Sequence, residues 1–436
     1  MPSRGSSAGT TTADRGSPVV IAGMGLLTPL GHSPWQTFRA LLAGRTVTDR
    51  ADRLPQAADP VNVVHSVGAV SVAQHGPSDP TVELAERAAR QALHEAGEDQ
   101  TQVPVILASS KGAVGSLIRA AGQCGLGDRT RRGGSSRDRT HHPGRLGEPG
   151  FLQADLESVT LGPHEFLARQ LRRRLGLVEP VHHVVAACAS GLTAVDLARR
   201  RLASAGATRA PRSVLVVAVE AALTPLFIHS YRRLGVLAPL TAQAYRGRPL
   251  AENRCGFVLA EAGAAVLLRT AEEPQPGEIE LLDTAVASEP HDLIRPAPRM
   301  RSLARVARRL LDGRPIDVLH PHAPGTAAHD PAEMSVFAGH ADQIRDVYAC
   351  KGGVGHGLGA AGLVSLVLAC LCARSGKRPP MPWLNDPIPE SQPLVGESRN
   401  GDGPTRHHAV FASGFGGHVA GAVLAYRQPL PNLPYP

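Results

Sequence analysis

Aromatic residues are scarce in this chain. Phe, Trp and Tyr together make up 3% of its 436 residues, so any large core is built mainly from Ala, Val and Leu. Lysine is scarcer still. Only Lys111, Lys351 and Lys377 contribute to the 46 basic side chains, and the rest are arginine. The six cysteines, Cys124, Cys188, Cys255, Cys350, Cys370 and Cys372, form no CxxC pair. That spacing argues against a disulfide framework and against a structural zinc site. No run reaches the ~18 apolar residues that span a bilayer on this reading, and the N-terminus lacks the apolar core of a secretory signal. The expected location is the cytoplasm. The formal net charge is +8, yet basic residues are not interleaved with aromatics, which disfavours nucleic-acid binding. A solvated arginine-rich surface or an acidic protein partner suits the charge better.

What remains is an alternation of helix and strand signals. Residues 1–17 read as a disordered tail. Val19-Val20-Ile21 reads as a buried strand followed by a loop at Gly23-Met24-Gly25. Ser33-Pro34 and Asp79-Pro80 read as helix starts, with stops at Gly44 and Gly97. Residues 103–108 and 214–219 read as strands, 164–175 as a helix, and 124–150 as a long exposed loop. The rhythm then repeats: strand to Ala287, helix 300–312, strand 316–320, a helix capped by Asp330 ahead of Pro331, and an apolar helix at 357–373. Strands 409–413 and 420–426 follow around a glycine turn, and residues 428–436 read as a loose tail. The class is α/β, and the two similar halves suggest an internal duplication.

The chain is organised around Val184-Val185-Ala186-Ala187-Cys188-Ala189-Ser190-Gly191-Leu192. A β-branched run meets a helical pattern there, so Cys188 sits at a strand-to-helix elbow. The free N–H groups of a helix N-terminus are expected to favour its thiolate. Two histidine stretches follow, His320-Pro321-His322-Ala323-Pro324-Gly325-Thr326 and Lys351-Gly352-Gly353-Val354-Gly355-His356. Each follows a strand and precedes a helix, so both can share one sheet edge with Cys188. A thiolate with two imidazoles suits acyl-thioester chemistry, and the Gly414-Phe415-Gly416-Gly417 turn can supply oxyanion donors. Metal binding by Cys188, His320 and His322 is the alternative, but no metal-ligand spacing set is present. The placing of one of three lysines five residues before His356 points to a compact ammonium in the site.

These motifs, in this order from about residue 18 to 427, resemble the elongating β-ketoacyl-acyl-carrier-protein synthases of the thiolase-like superfamily. The resemblance implies a thiolase-like fold of two duplicated α/β halves, 18–270 and 271–427, in an α-β-α-β-α arrangement. It implies decarboxylative Claisen condensation of an acyl thioester on Cys188 with malonyl-carrier protein, in fatty-acid or polyketide-like biosynthesis. His322 and His356 would promote decarboxylation, and Lys351 would position His322. The N–H groups of Cys188 and Phe415 would form the oxyanion hole, with the Phe415 ring as acyl gate. Thr326 would bond the phosphopantetheine arm, and Asp330 and Glu333 would support the site. No permanently bound cofactor or metal is implied; the substrates ride on acyl-carrier protein, and the enzyme is expected to be a homodimer. The chain departs from the family pattern at Ala323 and Pro324 (usually Gly and Thr), at Ala251 and Cys255 (commonly aspartates), and at His418-Val419 (usually Thr-Asn). A non-condensing partner subunit of the chain-length-factor kind is the alternative, although such partners usually lose the cysteine.

Overall fold

A computed structural model describes residues 17–48, 79–123, 153–203, 211–239, 247–395 and 405–428. The expected tails and the loop at 124–150 lie essentially outside the described residues. In chain order the elements are β1 (Val19–Leu27), α1 (Pro34–Leu42), α2 (Pro80–Ala96), β2 (Val105–Ala108), α3 (Val114–Gln123), α4 (Gln153–Leu175), β3 (His182–Val184), α5 (Ser190–Ala203), β4 (Ser213–Glu220), α6 (Pro225–Arg233) and β5 (Ala262–Thr270). The second half adds β6 (Ile279–Ser288), α7 (Arg301–Leu311), β7 (Val318–His320), α8 (His329–Ala338), α9 (Lys351–Val354), α10 (Ala361–Ser375), β8 (Thr405–Gly414) and β9 (His418–Arg427).

The strands join in the order β3-β2-β4-β5-β1-β6-β9-β8-β7. The join between β1 and β6 is thin, with only Val20↔Glu280 and Ile21↔Ile279 paired. Outward from that seam both sides show the same senses. An antiparallel neighbour comes first (β5, β9), then a second antiparallel one (β4, β8), then a parallel one (β2, β7). This mirrored order is what two copies of one α/β unit produce, and β3 is an addition at one edge.

Side-chain alternation along the strands separates the layers. On β4, Val214, Val216 and Ala218 face a central core, while Leu215, Val217 and Val219 face the outer helices α2 and α4. On β8 and β9, Val410, Ala412, Ala422 and Leu424 face the same central core, while Phe411, Val419 and Val423 face α7 and α8. The central core holds α5 and α10, so the arrangement is α-β-α-β-α. α10 is buried from Ala361 to Ala373, as a helix sandwiched between the two halves of the sheet must be. Contrary to the sequence reading, Leu358–Ser375 is long and apolar enough to cross a membrane; 89% of it is buried inside the protein.

Three further expectations change. Gly23 and Gly25 lie within β1 and not in a loop: a Cβ on Gly25 would stand 2.0 Å from the Ala88 carbonyl oxygen, so these glycines let α2 press onto the strand. Asp330 is not a helix cap, because α8 begins at His329 and the Asp330 carboxylate turns back onto the preceding loop. β5 was not anticipated; its Ala-Gly-Ala-Ala start lacks β-branched residues, and its strand character comes from lying between β1 and β4.

Candidate active site

The elbow forms because β3 ends at Val184 and α5 starts at Ser190, leaving five residues to reverse direction. Ala187 absorbs the turn at φ +48°, a conformation costly for a residue with a Cβ. Ser190 braces it: its hydroxyl donates to the Ala187 carbonyl at 2.6 Å and accepts from the Ala186 N–H at 2.8 Å. Cys188 thus projects from the turn into a cavity of about 330 Å³.

His322 follows β7 and His356 follows α9, and both line that cavity. Cys188 Sγ and a ring nitrogen of each histidine lie within 4.8 Å of one another. The same three atoms are close enough to hold a metal ion. His320, considered as a ligand on sequence grounds, is elsewhere: its Nε2 pairs with His408 Nδ1 at 3.0 Å. Each imidazole is fixed through its backbone. The His356 N–H donates to the Val258 carbonyl at 2.8 Å, and the Phe257 ring stands edge-on to its ring at 4.7 Å. The His322 N–H donates to Glu333 Oε1 at 2.7 Å, and its carbonyl accepts from Lys351 Nζ.

Glu333 also accepts from the Ala323 N–H at 2.7 Å. Ala323 holds φ +31°, so alanine stands in left-handed backbone where the family usually has glycine, and Glu333 helps to pin it there. Asp330 accepts from the N–H groups of Leu250, Gly325 and Thr326 at 2.9, 3.0 and 3.2 Å. These two carboxylates shape the histidine loop from behind. Thr326 and Pro324 line the cavity, and the Thr326 hydroxyl accepts from the His329 N–H at 3.3 Å. Cys255 and Ala251 sit behind that loop, where Gly256 donates to the Gly325 carbonyl at 2.8 Å.

The glycine turn closes the other side. A Cβ on Gly414 would stand 2.7 Å from the Ala186 carbonyl oxygen and 3.0 Å from the Cys188 nitrogen. Only glycine lets this backbone lie against the elbow. Phe415 follows and packs in the same apolar cluster as Cys188, Phe257 and Leu358. The N–H groups of Cys188 and Phe415 have no acceptor among the described residues.

Electrostatics correct one expectation. Burial pushes the Cys188 thiol up to about 12; Lys351 and Lys111 oppose the shift without reversing it. The shift runs against the thiolate that the helix N-terminus was expected to favour, with desolvation of the anion as its largest cause. Burial first, then the Lys351 charge, pulls His322 and His356 well below the usual imidazole range. Burial thus favours the neutral form of both imidazoles.

Four residues near the site were missed in the sequence. Glu220 ends β4 and is fully buried, accepting from Ser109 Oγ, the Ser110 hydroxyl and the N–H groups of Ser110, Lys111 and Gly359. An acid closing the apolar run 214–219 was its available signal. His329 lines the cavity, and its ring meets that of His322 at 5.0 Å. Tyr231 lines the cavity from α6, and Lys111 lies over its ring. The rarity of lysine pointed to Lys111; nothing local pointed to His329 or Tyr231.

Comparison with known proteins follows the same lines. The model described as "Beta-ketoacyl synthase, N-terminal domain" matches residues 16–273, and "Beta-ketoacyl synthase, C-terminal domain" matches 279–385. The chain is 27% identical to the tetracenomycin polyketide synthase ketoacyl synthase alpha subunit of Streptomyces glaucescens, over 93% of this chain and 96% of that one. It is 24% identical to the 3-oxoacyl-[acyl-carrier-protein] synthase 2 of Coxiella burnetii, over 85% and 89%. A solved type II polyketide ketosynthase in complex with its acyl-carrier protein superposes with a TM-score of 0.71 at 20% identity, covering 95% of this chain and all of that one.

Proposed function

We propose that this chain, which belongs to the β-ketoacyl synthase family, uses Cys188, His322 and His356 to condense an acyl thioester with malonyl-carrier protein. The chain is a condensing acyltransferase of that family; the residue roles, substrates and partners are our reading. The observation that carries them is the convergence of one thiol and two neutral imidazoles on a single cavity, beside two uncommitted backbone donors.

In the first half-reaction the Cys188 proton passes to an imidazole and sulfur attacks the acyl carbonyl. The oxyanion accepts hydrogen bonds from the N–H groups of Cys188 and Phe415. The carbon–sulfur bond to the carrier breaks, and the carrier thiol leaves with the proton. In the second, the malonyl carbon–carbon bond breaks and carbon dioxide departs. The electron pair stays on the thioester as an enolate, whose oxygen accepts from His322 and His356. The enolate carbon then attacks the Cys188 thioester, sulfur leaves as thiolate to yield a 3-oxoacyl-carrier product, and a proton taken up from solvent restores the Cys188 thiol. Lys351 positions His322, Asp330 and Glu333 hold the loop, and Thr326 meets the phosphopantetheine arm. Phe415 gates the acyl side.

We take the substrates to arrive on acyl-carrier protein, with no resident cofactor, in the cytoplasm. We take 18–270 and 271–427 as the two halves; the gap between the two family models at 274–278 supports that boundary. We also take the protein to be a homodimer, with the free edge of β3 as its seam. The test is intact-mass analysis with acyl-carrier proteins, run beside carbon dioxide release from malonyl-carrier protein. Acylation of the wild type and not of Cys188→Ala, with carbon dioxide release retained in Cys188→Ala, is the expected result. Activity in neither assay unless a second, different chain is added would favour the chain-length-factor-like reading.

A further inference from the structure

Lys111 has no role in the chemistry above, yet it is one of only three lysines, and it is placed beside the nucleophile's apolar cluster. It follows β2 in the turn at 109–112, and its own N–H donates to Glu220 Oε1 at 3.1 Å. Its half-buried side chain carries the ammonium to 5.6 Å from the centroid of the Phe227 ring and 6.0 Å from that of Tyr231. Tyr231 is shared: it lines the cavity that holds Cys188, and it stands edge-on to Phe257, which in turn stands edge-on to His356. The Lys111 charge is felt at Cys188 itself.

Among the described residues the ammonium makes no hydrogen bond and no close ion pair, although its charge is felt at the buried Glu220. Glu220, the nearby acid, is occupied by five donors from Ser109, Ser110, Lys111 and Gly359. Two aromatic faces hold the cation by its charge and leave its N–H groups uncommitted. Lys111 does not itself line the cavity; it stands behind Tyr231, which does, so a chain that passes this ring meets a half-buried cation with donors to spare, and that favours a ligand bringing oxygen acceptors to it.

We propose that Lys111 is a specificity residue that selects acyl chains carrying an oxygen acceptor, a carboxylate or a ketone, beyond their apolar part. The proposal rests on the acyl-enzyme reading of Cys188. A plain alkyl end would desolvate the ammonium without replacing its water. An oxygenated end would replace that water with a charge-assisted hydrogen bond.

The test uses thioesters of matched length in three forms: unsubstituted, ketone-bearing near the far end, and carboxylate-ended, in hexanoyl, octanoyl and decanoyl series. The rate of Cys188 acylation is read by intact mass for the wild type, Lys111→Met, Lys111→Gln and Lys111→Arg. The ratio of oxygenated to plain rates within one protein cancels any change in thiol reactivity or folded fraction. In the wild type that ratio should reach about tenfold for at least one oxygenated form, the scale of one hydrogen bond to a charged group. It should fall to near one in the Met and Gln variants and persist in part in the Arg variant. Equal rates for all forms in the wild type, or a preference unchanged in Lys111→Met and Lys111→Gln, would overturn the proposal and leave the acyl-enzyme reading standing. If no chain labels Cys188, the acyl-enzyme reading falls and this proposal falls with it.

Discussion

At the scale of the residue, reactivity here is governed by access and proton transfer, and not by a standing thiolate. Cys188 opens onto the cavity, while Cys370 and Cys372 are sealed in α10. Iodoacetamide should therefore label Cys188 well before the other two. Because burial holds the thiol up at about 12, its labelling rate should keep rising through the alkaline range. Labelling followed by mass against pH checks both statements, and a plateau near neutrality would contradict the second. Lys351 meets His322 through a carbonyl, and its charge also depresses the His322 and His356 imidazoles. Lys351→Ala should cut malonyl decarboxylation by about 10²-fold, the scale of losing one preorganised donor. It should also move the acid limb of the rate profile to higher pH, since removing a nearby positive charge makes protonation of His322 and His356 easier. Lys351→Arg should not restore the rate, because a planar guanidinium does not fit where a compact ammonium meets a buried carbonyl.

At the scale of the element, the site depends on backbones brought into contact. The β8–β9 turn reaches the elbow only because Gly414 has no side chain, and α5 crosses α10 where Gly191 faces the Leu363 backbone. A methyl at 414 must displace either the Ala186 carbonyl or the Phe415 segment. Gly414→Ala should therefore reduce Cys188 acylation by about tenfold or more while leaving the secondary structure intact, as seen by circular dichroism beside acyl-enzyme mass. β3 raises a different question. It pairs with β2 on one side and, among the described residues, has no strand on the other, and Val185 beyond it is 55% exposed. An open edge of this kind invites pairing with another chain. Sedimentation at micromolar concentration should show a dimer, and a monomer would remove β3 as the seam.

At the scale of the whole molecule, the buried titratable groups set how stability responds to pH. His183 is held down to about 4, His329 and His408 to about 3, and His320, His322 and His356 well below their usual range, all chiefly by burial. Below about 6.5 the unfolded chain binds protons that these six histidines refuse in the folded state, so their contribution is lost as pH falls. Four buried carboxylates act in the opposite sense. Burial raises Asp330 to about 6 and Glu333 to about 7, and it raises Glu220 and Asp346 as well, so the folded state holds their protons longer and stability declines as pH rises from about 4 toward about 7. The six histidines outnumber these four carboxylates. The melting temperature should climb from about pH 4 to about pH 7 and then level off, which differential scanning calorimetry across that range can check.

The sequence by itself determined the alternation of strands and helices, the elbow at Cys188, the two histidine loops and the one lysine between them. Those features are local: a β-branched run, an N-cap followed by proline, and a glycine turn each act within a few residues of themselves. It also carried the order of motifs that identifies the family. Tertiary structure decided the rest. β5 exists because two neighbouring strands hold an alanine-rich segment extended. Gly23 and Gly25 belong to a strand because α2 lies against them, and Asp330 turns away from capping because three backbone donors lie behind it. The protonation of Cys188 and the histidines was likewise invisible locally, because desolvation is imposed by residues hundreds of positions away. The same holds for Lys111: composition marked it as unusual, and only the fold put its ammonium over two rings near Cys188.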